Sequence, residues 1–289
     1  MNRRSFLRTA SGATIAALGP RVGMAVAASD DVGLAGLDLP GVTVTVDDVG
    51  FAVPAGTTAG RVLMTVENAG ANQLHFFAAR VPDDVADEQL VAEMAADGEP
   101  AWFDMTKLTM LGNPDWPAPG GLAKGVVDLA AGRWLLLDPI DGRVPAIWTV
   151  SEAANRVSEP EPRAAVEVGL EEMAFAGLDG PLAAGAQVWK ITNRGALEHE
   201  IAILPVAAGT TETMFTEQIA GMLQGEGDGG FWTPVGGQGI ASRGVTSWQE
   251  FDLTAGTYAA VCMTPSARDD PADFLPHALM GMVRIFTVQ

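Results

Sequence analysis

The chain of 289 residues contains one cysteine and three histidines, and the cysteine and two of the histidines stand where a soft metal ion would need them. Cys262 closes the run Tyr258-Ala-Ala-Val-Cys262. The segment Pro276-His277-Ala-Leu-Met280-Gly-Met282 follows it, and His199 ends Asn193-Arg-Gly-Ala-Leu-Glu-His199 far upstream. One thiolate, two imidazoles and a thioether are the donors of a blue-copper electron-transfer centre, in which Cys and two His form a plane and Met binds weakly from the axis. Each residue also has a plainer use: a cysteine as a small buried hydrophobe, a strand histidine as a hydrogen-bonded core residue, a methionine as packing. The third histidine, His75, has no soft partners at matching positions and reads as a core or turn residue. Asp269, Asp270 and Asp273 read as solvated rather than as a hard-cation site. No Ser-His-Asp order, Gly-rich phosphate loop or His-Glu-x-x-His motif is present, and no organic cofactor is implied.

Two similar halves must position these residues. Residues 28–157 form the first and 164–289 the second, joined by a polar connector, Ser158-Glu-Pro-Glu-Pro-Arg163. Each half opens on a β-rich stretch, Val42 to Val46 and Ala165 to Val168. A β-branched strand follows in each, Arg61 to Glu67 and Gln187 to Thr192, and runs into an Asn-x-Gly turn, Asn68-Ala-Gly70 or Asn193-Arg-Gly195. By this order His75 corresponds to His199. Helical segments come next, with Leu90, Val91 and Met94 in one and Met214, Ile219 and Met222 in the other. Strands around a shared Ala-Gly then lead to the last strands, Ala146 to Val150 and Arg284 to Val288. Counting six residues past the shared glycine, Gly256 gives Cys262 and Gly132 gives Asp138, so the first half is expected to be copper-free. Short strands separated by turns, with one helical excursion per half, predict an all-β fold of two tandem Greek-key sandwiches.

Over residues 164–289 the sequence resembles the cupredoxin family, which includes plastocyanin and azurin. Members supply the first His after an Asn-rich turn, then Cys, His and Met from one loop before the last strand. The resemblance implies His199, Cys262, His277 and Met282 as ligands of a single type 1 copper, with Met280 the fallback on the axis. Fourteen residues separate Cys262 from His277, more than the family places there. Loop-closure cost grows slowly with length, so the excursion can bulge outward with its ends together, or it can carry His277 away from the metal.

Asn2-Arg3-Arg4-Ser5-Phe6-Leu7-Arg8, the apolar run from Thr9 to Gly19 and Ala25-Val26-Ala27 look like a twin-arginine signal peptide over residues 1–27. The apolar run falls short of the ~20 residues that span a bilayer, so no stable membrane insertion is expected after cleavage. A periplasmic or extracellular protein follows, in which one cysteine cannot form an intrachain disulfide. Residues 1–27 hold four Arg and no acid, so removing them takes the net charge from −19 to −23. Such charge repels nucleic acid and favours a cationic redox partner. The His-x-His pairs of multicopper oxidases are missing, so the expected function is an electron carrier and not an enzyme. A copper-trafficking protein holding Cu(I) and a metal-free scaffold for partner proteins are the rival readings.

Overall fold

A computed structural model describes residues 33–95, 102, 104, 107–153, 161–226, 229–266 and 275–289. The expected export segment, 1–27, lies outside the described residues, as do 158–160 of the connector and 267–274 of the Cys262–His277 excursion.

Alternation builds the strands. β1 (Gly41–Val46) turns Val42, Val44 and Val46 inward, and β3 (Gly60–Asn68) buries Val62, Met64, Val66 and Asn68 in the same rhythm, the period of two that one packed face requires. The two run parallel, Val44 opposite Val66. With β2 (Phe51–Ala52) and β7 (Leu122–Leu129) they make one layer of the first half. β4 (Phe77–Arg80), β5 (Thr109–Met110), β8 (Gly132–Leu137) and β9 (Ala146–Val150) make the other. Val44, Met64, Phe76, Trp134, Leu136 and Trp148 pack between them.

The second half repeats the plan. β10 (Val166–Glu171), β11 (Ala174–Ala176), β12 (Gly185–Asn193) and β15 (Thr246–Leu253) lie in one sheet, and β13 (His199–Val206), β14 (Gly236–Ala241), β16 (Gly256–Val261) and β17 (Val283–Val288) in the other. Trp189, Ile191, Ile201, Ile203, Phe251 and Phe286 fill the space between. Helices α1 (Asp87–Ala95) and α2 (Glu212–Leu223) follow β4 and β13 respectively. The Thr211 hydroxyl caps α2 by accepting the Met214 N–H at 3.2 Å, a contact worth about 1 kcal/mol. Phe215, Ile219 and Met222 form its buried stripe, whereas Met214, expected there, is half exposed. The expected all-β architecture of two tandem sandwiches, each with a short helical insertion, is the one observed.

The two sandwiches are also joined strand to strand. β7 and β15, equivalent strands of the two halves, pair antiparallel with Gly125 opposite Gln249, so eight strands run continuously in the order β11-β10-β12-β15-β7-β3-β1-β2. β6 (Pro114–Asp115) crosses from the first half to pair with β14, placing Asp115 opposite Gly237. Only glycine fits at 237, because a Cβ would meet the Ile201 carbonyl oxygen and the Trp116 ring. Antiparallel pairing of like with like is the arrangement of an approximate two-fold axis.

Candidate metal centre

The turn that delivers His199 is built on Asn193. Its side-chain amide donates to the Leu197 and Ala241 carbonyls, each at 2.8 Å, and its oxygen accepts the Gly195 N–H at 2.9 Å. The chain is thereby pinned to β14 just before β13 begins. Gly195 leaves room for the ring, since a Cβ there would lie 2.9 Å from His199 Nε2. Cys262 follows directly on β16. Its N–H donates to the Met282 carbonyl at 3.2 Å, and its carbonyl accepts the Ala278 N–H at 2.8 Å.

These backbone bonds bring His199, Cys262 and His277 together, the one His/Cys/Asp/Glu group among the described residues with the spacing of a metal site. The two Nδ1 atoms are 3.0 Å apart, and Cys262 Sγ lies 3.9 Å from that of His199 and 3.5 Å from that of His277. A point equidistant from the three lies about 2.0 Å from each, the length of a metal–imidazole bond and a little under the ~2.3 Å of a metal–thiolate bond. All three residues are buried, and among the described residues neither Nε2 has a hydrogen-bond partner. With the proton on Nε2, both Nδ1 lone pairs face the shared point. The set fits a soft or borderline ion, and one thiolate with two imidazoles fits copper.

The Cys262–His277 excursion closes at its base. The His277 N–H donates to the Thr264 carbonyl and the Ser266 N–H to the Leu275 carbonyl, both at 2.9 Å, and Pro265 bridges Pro276. Residues 277–280 form a short 3-10 turn that ends at Gly281, held at φ 104°, a conformation glycine adopts without strain. Met282 is fully buried in the same cluster as Cys262, while Met280 is 37% exposed.

Burial, reinforced by the charge of Glu200, pushes the Cys262 thiol up to about 12. Burial, with His199 beside it, pushes His277 down to about 4, and His199 is also lowered by burial. At neutral pH the site therefore holds a thiol and two neutral rings, and a bound cation must displace one proton. Copper uptake is expected to release about one proton per ion, and affinity to rise about tenfold per pH unit between about pH 7 and about pH 11. Calorimetry in buffers of different ionisation enthalpy measures the release.

Glu200, next to His199 on β13, does not face solvent; it is buried against His75 of the first half. Its N–H donates to Cys262 Sγ at 3.4 Å, and its Oε1 accepts the Met263 N–H at 3.0 Å. Its other oxygen lies 3.6 Å from Nε2 of His75. Asp115 holds the far side of that ring at 2.6 Å, and Trp116 stacks on it at 4.3 Å between centroids. Burial opposes charge on His75, but Asp115 and Glu200 outweigh it and hold the ring's pKa up at about 9. Burial also raises both carboxylates.

The correspondence of His75 with His199 needs correction by one residue. Asn68 repeats the bonds of Asn193, donating to the Asn72 and Pro117 carbonyls and accepting the Gly70 N–H. The displacement that carries Asn68 onto Asn193 carries Leu74 onto His199 and His75 onto Glu200. Asp138 does occupy the place of Cys262: Phe77 lies opposite Leu137 as Ala202 lies opposite Val261. There Arg143, buried, grips Asp138, so a guanidinium stands in the first half where the second gathers its donors.

No protein-family model and no curated protein matches this chain. Solved structures with a similar fold include a dithionite-reduced auracyanin from the photosynthetic bacterium Roseiflexus castenholzii, 17% identical, with a TM-score of 0.30 over 43% of this chain and 94% of that one. A multicopper oxidase is 14% identical, with a TM-score of 0.24 over 89% and 92%. A copper-containing nitrite reductase from Thermus scotoductus SA-01 is 13% identical, with a TM-score of 0.24 over 86% and 61%. The likeness is one of fold. The expectation that the chain is not an enzyme is nevertheless corrected here, because the two neighbours spanning most of it are enzymes. A count of His-x-His pairs within one chain does not decide activity.

Proposed function

We propose that this chain is an exported copper protein whose second half, residues 164–289, holds one type 1 copper at His199, Cys262, His277 and Met282 and passes single electrons. The observation that carries this reading is the triangle of Cys262 Sγ and the two Nδ1 atoms, sized for one ion. Met282 would supply the thioether because it is buried in the same cluster as Cys262, whereas Met280 is partly in water. When bound, copper supplies a reversible one-electron couple. The chain's own residues hold the donors on strand ends tied by backbone bonds, so ligand positions change little between oxidation states. Burial of all three planar donors keeps water from the metal. Residues 1–27 direct export by the twin-arginine route to the periplasm or beyond, and the net charge of −23 that remains draws a cationic redox partner. Among the described residues no helix is long and apolar enough to cross a membrane.

Copper-loaded protein should contain one ion per chain by metal analysis and show an intense thiolate-to-copper absorption that bleaches on reduction. A chain that binds copper but stays colourless in both states overturns the electron-transfer reading in favour of Cu(I) holding. One that binds none is a scaffold.

A further inference from the structure

A buried histidine of the first half reaches the candidate centre through Glu200. Glu200 is a two-sided clamp on the thiolate: its N–H reaches Cys262 Sγ and its Oε1 fixes the N–H of Met263, the residue after the cysteine. Among the described residues its Oε2 has no hydrogen-bond partner, and it lies 3.6 Å from Nε2 of the His75 ring. That ring is in turn immobilised on three sides. Asp115 binds Nδ1 and also accepts the Phe76 N–H at 3.2 Å, Trp116 stacks nearly parallel at 9°, and β6, which carries Asp115, is itself paired with β14 of the second half.

Resting on the copper reading above, we infer that His75 is a positioning residue for the copper centre, acting from the first half through Glu200 to set the reduction potential. Groups that orient and polarise a ligand from outside the coordination sphere commonly tune the metal they do not touch. The imidazolium does so in two ways. It holds the carboxylate, and with it the two N–H bonds that flank the sulfur. It also offsets an anion that would otherwise stand unpaired beside the thiolate and favour the oxidised, more positive metal. The charge is present at neutral pH, in keeping with the raised pKa of the ring. The copper-free half thereby has a physical task at the centre of the other.

The test is a double-mutant cycle read by potentiometry on the full, copper-loaded protein: wild type, His75→Gln, Glu200→Gln and the double variant, with copper content measured for each. His75→Gln is expected to lower the midpoint potential by about 59 mV, a tenfold change in the oxidised-to-reduced ratio for one electron. On the Glu200→Gln background the same substitution is expected to move it hardly at all. An unchanged or raised potential in His75→Gln, or an equal shift on both backgrounds, overturns the inference and leaves the copper reading standing. Should His75→Gln fail to fold with its carboxylate unpaired, Glu200→Gln and the double variant still decide: matching potentials support the inference, and differing ones overturn it. A wild type without copper overturns the copper reading, and this inference with it.

Discussion

Cys262→Ser yields a colourless protein that binds copper roughly a hundredfold more weakly than the wild type. The colour goes because a hydroxyl has no thiolate charge to transfer to the metal. The affinity follows from the number of donors. Closed four-ligand sites bind with apparent free energies of about 10–16 kcal/mol, so one ligand is worth about 3 kcal/mol, or about a hundredfold in Kd. Serine is close in size to cysteine and keeps the N–H and carbonyl bonds to Met282 and Ala278, so the strand end should stay in place. Equilibrium dialysis and visible spectroscopy of the two proteins measure both effects. Equal copper uptake would remove the thiolate from the site.

Arg143→Met is expected to destabilise the protein by about 3–5 kcal/mol, read by urea denaturation. Arg143 and Asp138 are buried together, and the guanidinium also reaches Asp141 at 3.0 Å and the Asp47 carbonyl at 2.7 Å. Removing the cation leaves the Asp138 carboxylate with two backbone donors, the N–H groups of Ile140 and Asp141, and with only the unbonded His75 ring as an opposing charge. The cost is the desolvated, unpaired anion, not the intrinsic worth of the pair. An apolar replacement of both residues, Asp138→Leu with Arg143→Met, should therefore recover much of the loss. If Arg143→Met alone has no measurable effect, the pair does not hold this end of the sandwich.

The contrast between these two poles was partly readable in the sequence. Metal donors come from few residue types, so Cys262, His277 and His199 stood out, and the shared Ala-Gly fixed Asp138 as the counterpart of Cys262 because a hairpin glycine anchors strand register. The correspondence of His75 failed because a histidine drew the eye after each Asn-x-Gly turn, although the bonds of Asn68 and Asn193 put Leu74 in the place of His199. The burial of Glu200 was hidden for a different reason. Alternation says which side of a strand a residue faces, but not whether water or another domain waits there, and β13 is covered on both sides. The signal was present all the same: a glutamate inside an otherwise apolar strand calls for a buried partner. Pairing of β7 with β15 left no mark at all, since neighbouring strands of a continuous sheet look alike in sequence wherever the sheet ends.

That pairing changes what each sandwich presents to its surroundings. A β-sandwich standing alone would leave the long flank of β7 or β15 with bare N–H and C=O groups, a template on which any stray extended chain could grow. Here three residues of each flank, 125–127 and 247–249, are covered by the counterpart, and the eight-stranded sheet ends instead at β2 and β11, of two and three residues. Doubling the module has thus blunted its stickiest margin, a safeguard against clumping that a single copy would have had to find some other way.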